Sequence, residues 1–206
     1  MKTPEGYERD LAEIRSLMER SVKFISLSGL SGVAAGTYAI VGAALAYYVI
    51  YFPQPPIGYA YRHISPQTLT LLLVDAVVVL VLALGTGIWL SSRNARLQRT
   101  TIWNPTSKKL FAALAVPLLA GGLFIINLLF QGYFELVAAS CLVFYGLALL
   151  NGSFYTYNEI RFLGILEISL GLLAAFFPGY GLIAWTVGFG LLHIIYGAMM
   201  YNRYER

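Results

Sequence analysis

Six stretches of the chain are rich in apolar residues and poor in charge: about 23–52, 68–91, 109–130, 133–151, 160–177 and 180–201. Crossing about 30 Å of hydrocarbon takes ~20 apolar residues in a helix, so each stretch is predicted to span a membrane. The runs are continuous rather than alternating, and backbone groups in lipid must be satisfied within a segment, which selects helices over a barrel. Ahead of them, TPEGYERDLAEIRSLMERSV (residues 3–22) brings Tyr7, Leu11, Ile14, Leu17, Met18 and Val22 to one side. This is the spacing of an amphipathic helix. The expected fold is all-α, a polytopic membrane bundle of six transmembrane helices arranged as three antiparallel hairpins. Residues 1–22 form a cytoplasmic or interfacial amphipathic helix, and residues 23–206 form the membrane domain. The turns near 131–133 and 178–181 are short, so spans three and four, and spans five and six, are expected to be neighbours.

Composition agrees. Charged residues are 12% of the chain, 58% is hydrophobic and the mean hydropathy is +0.69, whereas soluble domains carry roughly 25% charge. Basic residues cluster before span one (Lys2, Arg9, Arg15, Arg20, Lys23), between spans two and three (Arg93, Arg96, Arg99, Lys108, Lys109) and at the end (Arg203, Arg206). Only Arg62 falls in the opposite loops. The positive-inside rule then puts both termini in the cytoplasm, and a multi-pass protein of the inner membrane is expected. The net charge of +4 reflects topology and contact with anionic lipid, so no nucleic-acid partner is expected. The first run lacks a cleavage pattern and reads as a retained span. The lone cysteine, Cys141, rules out an internal disulfide and reads as a small packing residue.

Within span one, Ser28, Gly32, Gly36, Ala39, Ala43 and Ala46 recur every three or four residues, a seam of small side chains for close helix packing. Gly29-Leu30-Ser31-Gly32 matches the Gly-x-Ser-Gly of rhomboid intramembrane proteases. Those enzymes place their serine in a later span, so packing is the preferred reading and no enzyme is expected. Spans five and six carry Gly164-x-x-Glu167-x-x-x-Gly171 and Gly190-x-x-His193-x-x-x-Gly197. Glu167 lies 12 residues before Gly179 and His193 lies 14 after it, so the two share a depth to within about 3 Å. A polar pair inside a membrane needs a partner or water, and this one suits either a structural hydrogen bond or proton handling. Asp75, Asn127 and Glu135 form a second polar group toward the outer side, where Asp75 must turn inward. Pro117 removes a hydrogen bond from span three and leaves the carbonyl near Ala113 unpaired. A catalytic zinc site needs about three histidines and the chain has two, so neither metal nor cofactor is expected.

ERDLAEIRSLMERSVKFISLSGLSGVAAG resembles the opening of an uncharacterised family of bacterial six-span membrane proteins, a resemblance that brings no activity with it. LGILEISLGLLAAFFPGYGLIAWTVGFGLLHIIYG is similar in rhythm to bacterial acid-resistance membrane proteins, which implies six spans in repeated hairpins. The leading expectation is a non-enzymatic membrane sensor, modulator or structural bundle. A small-solute or proton-coupled transporter using Asp75, Glu167 and His193 is the alternative, and an intramembrane hydrolase the remote one. Membrane lipid, a homodimer formed through the small-residue seam and a soluble cytoplasmic regulator at residues 3–22 are the partners these features suit.

Overall fold

A computed structural model describes residues 27–53, 64–97 and 103–206. The amphipathic segment 3–22, the loop residues Arg62 and His63, and the whole basic cluster before span one lie outside the described residues. Among those described there is no strand, and five helices are long and apolar enough to cross a membrane. They are α1 (Gly29–Ile50), α2 (Pro66–Leu97), α3 (Pro105–Gln131), α4 (Phe134–Tyr155) and α6 (Gly181–Tyr204). The remaining helix, α5 (Asn158–Phe176), has 19 residues and carries Glu159, Arg161 and Glu167. Three charges in so short a helix leave it no long uncharged stretch, unlike the other five. This is an integral membrane protein by the length and composition of its helices.

Local chemistry accounts for the helix ends. Asn104 and Ser107 form a reciprocal capping box at the start of α3, with Pro105 in its first turn. Each side chain satisfies a backbone N–H that the helix itself leaves unpaired. Gly132 ends α3 at φ 78°, and Gly179 turns the chain between α5 and α6 at φ 98°, both in the left-handed region that glycine enters without strain.

α1 packs between α2 and α6, and α4 packs between α3 and α5. α6 joins the two groups by touching α4 mainly near its start and α5 thinly along its length. The last two helices, expected as a tight pair, touch only lightly, because α6 runs mainly along α1 and α5 along α4. Glycine decides this. A Cβ on Gly36 would fall 2.5 Å from the Gly190 carbonyl, and one on Gly197 would fall 2.6 Å from the Val33 nitrogen. On the other side, Gly146 and Gly164 face each other at the same range, and Gly171 lies against the Ala139 carbonyl. The glycines flanking Glu167 therefore face α4, while those flanking His193 face α1. Where lipid removes the hydrophobic drive between helices, such backbone approach supplies the dispersion contacts that hold them together.

The small-residue seam on α1 divides in the same way. Ser28, Gly36, Ala39, Ala43 and Ala46 are buried and Gly32 is half-buried. Its lower part meets α6, while Gly42, outside the expected seam, meets Asp75 and Val79 of α2. α2 is peripheral: only Ser91 and Ala95 are buried along its 32 residues.

Polar contacts clamp the end of the bundle that holds the start of α1 and the end of α6. The Glu205 carboxylate accepts from the Ser28 hydroxyl at 2.9 Å and from the Gly29 N–H, so the end of α6 caps the start of α1. Glu159 of α5 accepts from Arg203 at 2.8 Å and from the Tyr204 hydroxyl at 3.0 Å. In α3, the carbonyl of Ala113 that Pro117 cannot serve accepts instead from the Asn151 amide of α4 at 2.7 Å. A neighbouring helix thus satisfies the group that proline frees, the usual condition for proline in a membrane helix.

Candidate functional site

Glu167 sits where α4, α5 and α6 meet. Its exposure is 0%, and neither carboxyl oxygen has a hydrogen-bond partner. His193 Nδ1 lies 3.5 Å from its Oε1. The two residues expected to face each other at similar depth are brought together, but without a direct hydrogen bond.

Both imidazole nitrogens of His193 are engaged elsewhere. Nδ1 lies 3.0 Å from the Gly188 carbonyl, and Nε2 lies 2.8 Å from the Tyr145 hydroxyl. A carbonyl can only accept, so Nδ1 carries the hydrogen and Nε2 accepts from the phenol, an assignment made from the network. The neutral ring is then satisfied at both ends, and Glu167 is left to balance itself. As a carboxylic acid it would bring its own donor; as a carboxylate it would need a proton to move onto the ring.

The backbone makes room for this arrangement. Residues Thr186–Leu192 of α6 wind as a π-helix, which widens the turn just before His193. A Cβ on Gly188 would fall 2.5 Å from Glu167 Oε2 and equally close to Leu142, so any larger residue there would push both side chains aside. Tyr145 and Gly188 were not among the expected site residues. Gly188 falls outside the four-residue glycine spacing that drew attention to Gly190, and the tyrosine on α4 signals itself only by lying next to Gly146.

A string of rings connects this centre to a second one. Phe189 lies 5.9 Å from the His193 ring and 5.0 Å from that of Tyr145, and Trp185 lies 5.2 Å from Phe189. Trp185 in turn lines a cavity of about 310 Å³ among α1, α2, α3, α4 and α6, at the end that holds the turns at Gly132 and Gly179. Asp75 and Glu135 both line it, so two of the three outer polar residues converge. Asn127 does not. It is exposed and accepts from Gln131 on its own helix at 3.1 Å. At 100° per residue, placing Ile125 and Leu129 of α3 on the cavity turns the residue midway between them away from it. Cys141, expected as a packing residue, also lines the cavity and is half-buried.

Ser31 of the Gly-x-Ser-Gly tetrapeptide donates to the Ser28 carbonyl at 2.5 Å within the first turn of α1. With both His193 nitrogens taken by Tyr145 and Gly188, the two residues do not form a nucleophile–base pair. Among the described residues no three His, Cys, Asp or Glu side chains gather as metal ligands would. No protein-family model, no curated protein and no solved structure matches the chain.

Proposed function

We propose that this chain is a six-span protein of the cytoplasmic membrane, with both termini inside, that binds and releases a proton at Glu167 and works as a membrane sensor or modulator. The reading rests on one observation: a carboxyl group with no exposure and no hydrogen-bond donor, 3.5 Å from an imidazole whose own bonds suit the neutral ring. A charge at the centre of a membrane helix costs about 2.5–3.5 kcal/mol on insertion scales. A bundle that only needed packing would place leucine at this position. A proton that moves onto His193 Nε2 displaces the hydrogen bond from the Tyr145 hydroxyl, which joins α6 to α4, whereas the bond from Nδ1 to Gly188 lies within α6. Protonation is thereby tied to the contact of α6 with α4.

Infrared difference spectroscopy of the reconstituted full chain across a pH step tests this. The protonated-carboxyl carbonyl band is expected to titrate, to vanish in Glu167→Gln and to persist in Asp75→Asn. Identical spectra for wild type and Glu167→Gln would refute it.

A second reading, a proton-coupled carrier, is favoured by the cavity that Asp75 lines, which meets α6 at Trp185, about 12 Å along that helix from His193. It requires proton flux into proteoliposomes that Glu167→Gln abolishes while the protein stays folded. A titrating Glu167 without flux leaves the sensor reading.

A further inference from the structure

We propose that the cavity beside Asp75 is a binding site for a small lipophilic monocation, one aromatic ring or its equivalent bearing an ammonium group. The wall is mostly aliphatic, which suits an apolar body. Two carboxylates break it, Asp75 and Glu135, and among the described lining residues there is no Lys, Arg or His to neutralise them. Neither makes a hydrogen bond or ion pair to any described residue. Asp75 leans on the backbone of α1 at Gly42, where a Cβ would fall 3.2 and 3.4 Å from its two oxygens, a position beside the cavity that no cationic side chain among the described residues pairs with.

Charge complementarity therefore points to a cation, and the aliphatic wall to one with an apolar body. Trp185 lines the cavity with an indole, the ring type that holds ammonium groups best. The volume of about 310 Å³ lies at the small end of ligand pockets, roughly 300–1,000 Å³, so it takes a one-ring molecule rather than a large one. An anion would meet two carboxylates, and a neutral hydrocarbon or acyl chain would leave both without a counter-ion from the ligand. This inference uses neither Glu167 nor His193 and stands apart from the proton reading.

The test uses the full chain in nanodiscs with Trp89 and Trp103, both exposed, replaced by Phe, which leaves Trp185 as the only tryptophan. Benzyltrimethylammonium is titrated against Trp185 fluorescence, beside its neutral isostere neopentylbenzene and the anion benzenesulfonate. Saturable quenching by the ammonium alone is expected, weakened about tenfold or more in Asp75→Asn, the loss expected when a partly desolvated ion pair loses one charge. Glu135→Gln is expected to weaken it as well, which keeps the test decisive if Asp75→Asn does not fold. Equal binding of the neutral isostere, binding of benzenesulfonate, or undiminished ammonium binding in the folded variants would overturn the proposal and mark the cavity as a crevice for lipid chains.

Discussion

Replacing glycine by alanine at two kinds of position should move stability in opposite directions. On Gly146 a Cβ would fall 2.6 Å from the Gly164 carbonyl and 2.8 Å from both the Ile168 nitrogen and its side chain. Ordinary contact begins near 3.4 Å, so α4 and α5 would have to separate by roughly 0.8 Å. A gap of 0.5–1 Å forfeits about a quarter to a half of each dispersion contact along the seam. Two of the three obstructing atoms are backbone and cannot rotate away, so the cost lies near the upper end of the overpacking range, about 3 kcal/mol. The better helix propensity of alanine returns about 1 kcal/mol, leaving a net loss of about 2 kcal/mol. On Gly85 of α2 nothing lies within 4 Å, and only the propensity gain of up to about 1 kcal/mol remains. The two variants should therefore differ by about 3 kcal/mol. For a chain of this size that separates their thermal midpoints by about 6–12 °C, at roughly 2–4 °C per kcal/mol. Fluorescence-detected size-exclusion after heating, in one detergent, measures it. Equal shifts for Gly146→Ala and Gly85→Ala would show that α4 and α5 do not pack through this seam.

Two further perturbations probe other contacts. Asn151→Ala removes the donor to the Ala113 carbonyl and should cost about 1–2 kcal/mol, but close to nothing in a Pro117→Ala background, where the backbone N–H at position 117 returns; an additive double-mutant cycle in thermal melting would exclude the contact. Glu205→Gln weakens the cap on α1 and should lower stability by about 0.5–1 kcal/mol, an effect that shrinks as salt is added; a loss independent of salt would mean that charge is not what Glu205 contributes.

Much of the architecture follows from the chain pattern alone, because its cause is local. Runs of apolar residues long enough to cross hydrocarbon become helices wherever they occur, and Asn104-Pro105, Gly132 and Gly179 mark boundaries through their own backbone preferences. The depth match of Glu167 and His193 is equally local, since it is a count of residues from a turn. What residue spacing does not contain is which helix each face meets. Gly164 and Gly190 stand in the same pattern, yet one packs on α4 and the other on α1, because the fit of a glycine groove depends on the partner's surface. The same holds for Tyr145 and Gly188, which enter the site only when α4 and the widened turn of α6 close around Glu167. It holds for Asn127 too, whose rotation away from Asp75 is set by how α3 seats on its neighbours. Hydropathy and helix period determined the elements, whereas the close backbone approaches that only a folded bundle makes decided which buried acid would be left without a donor.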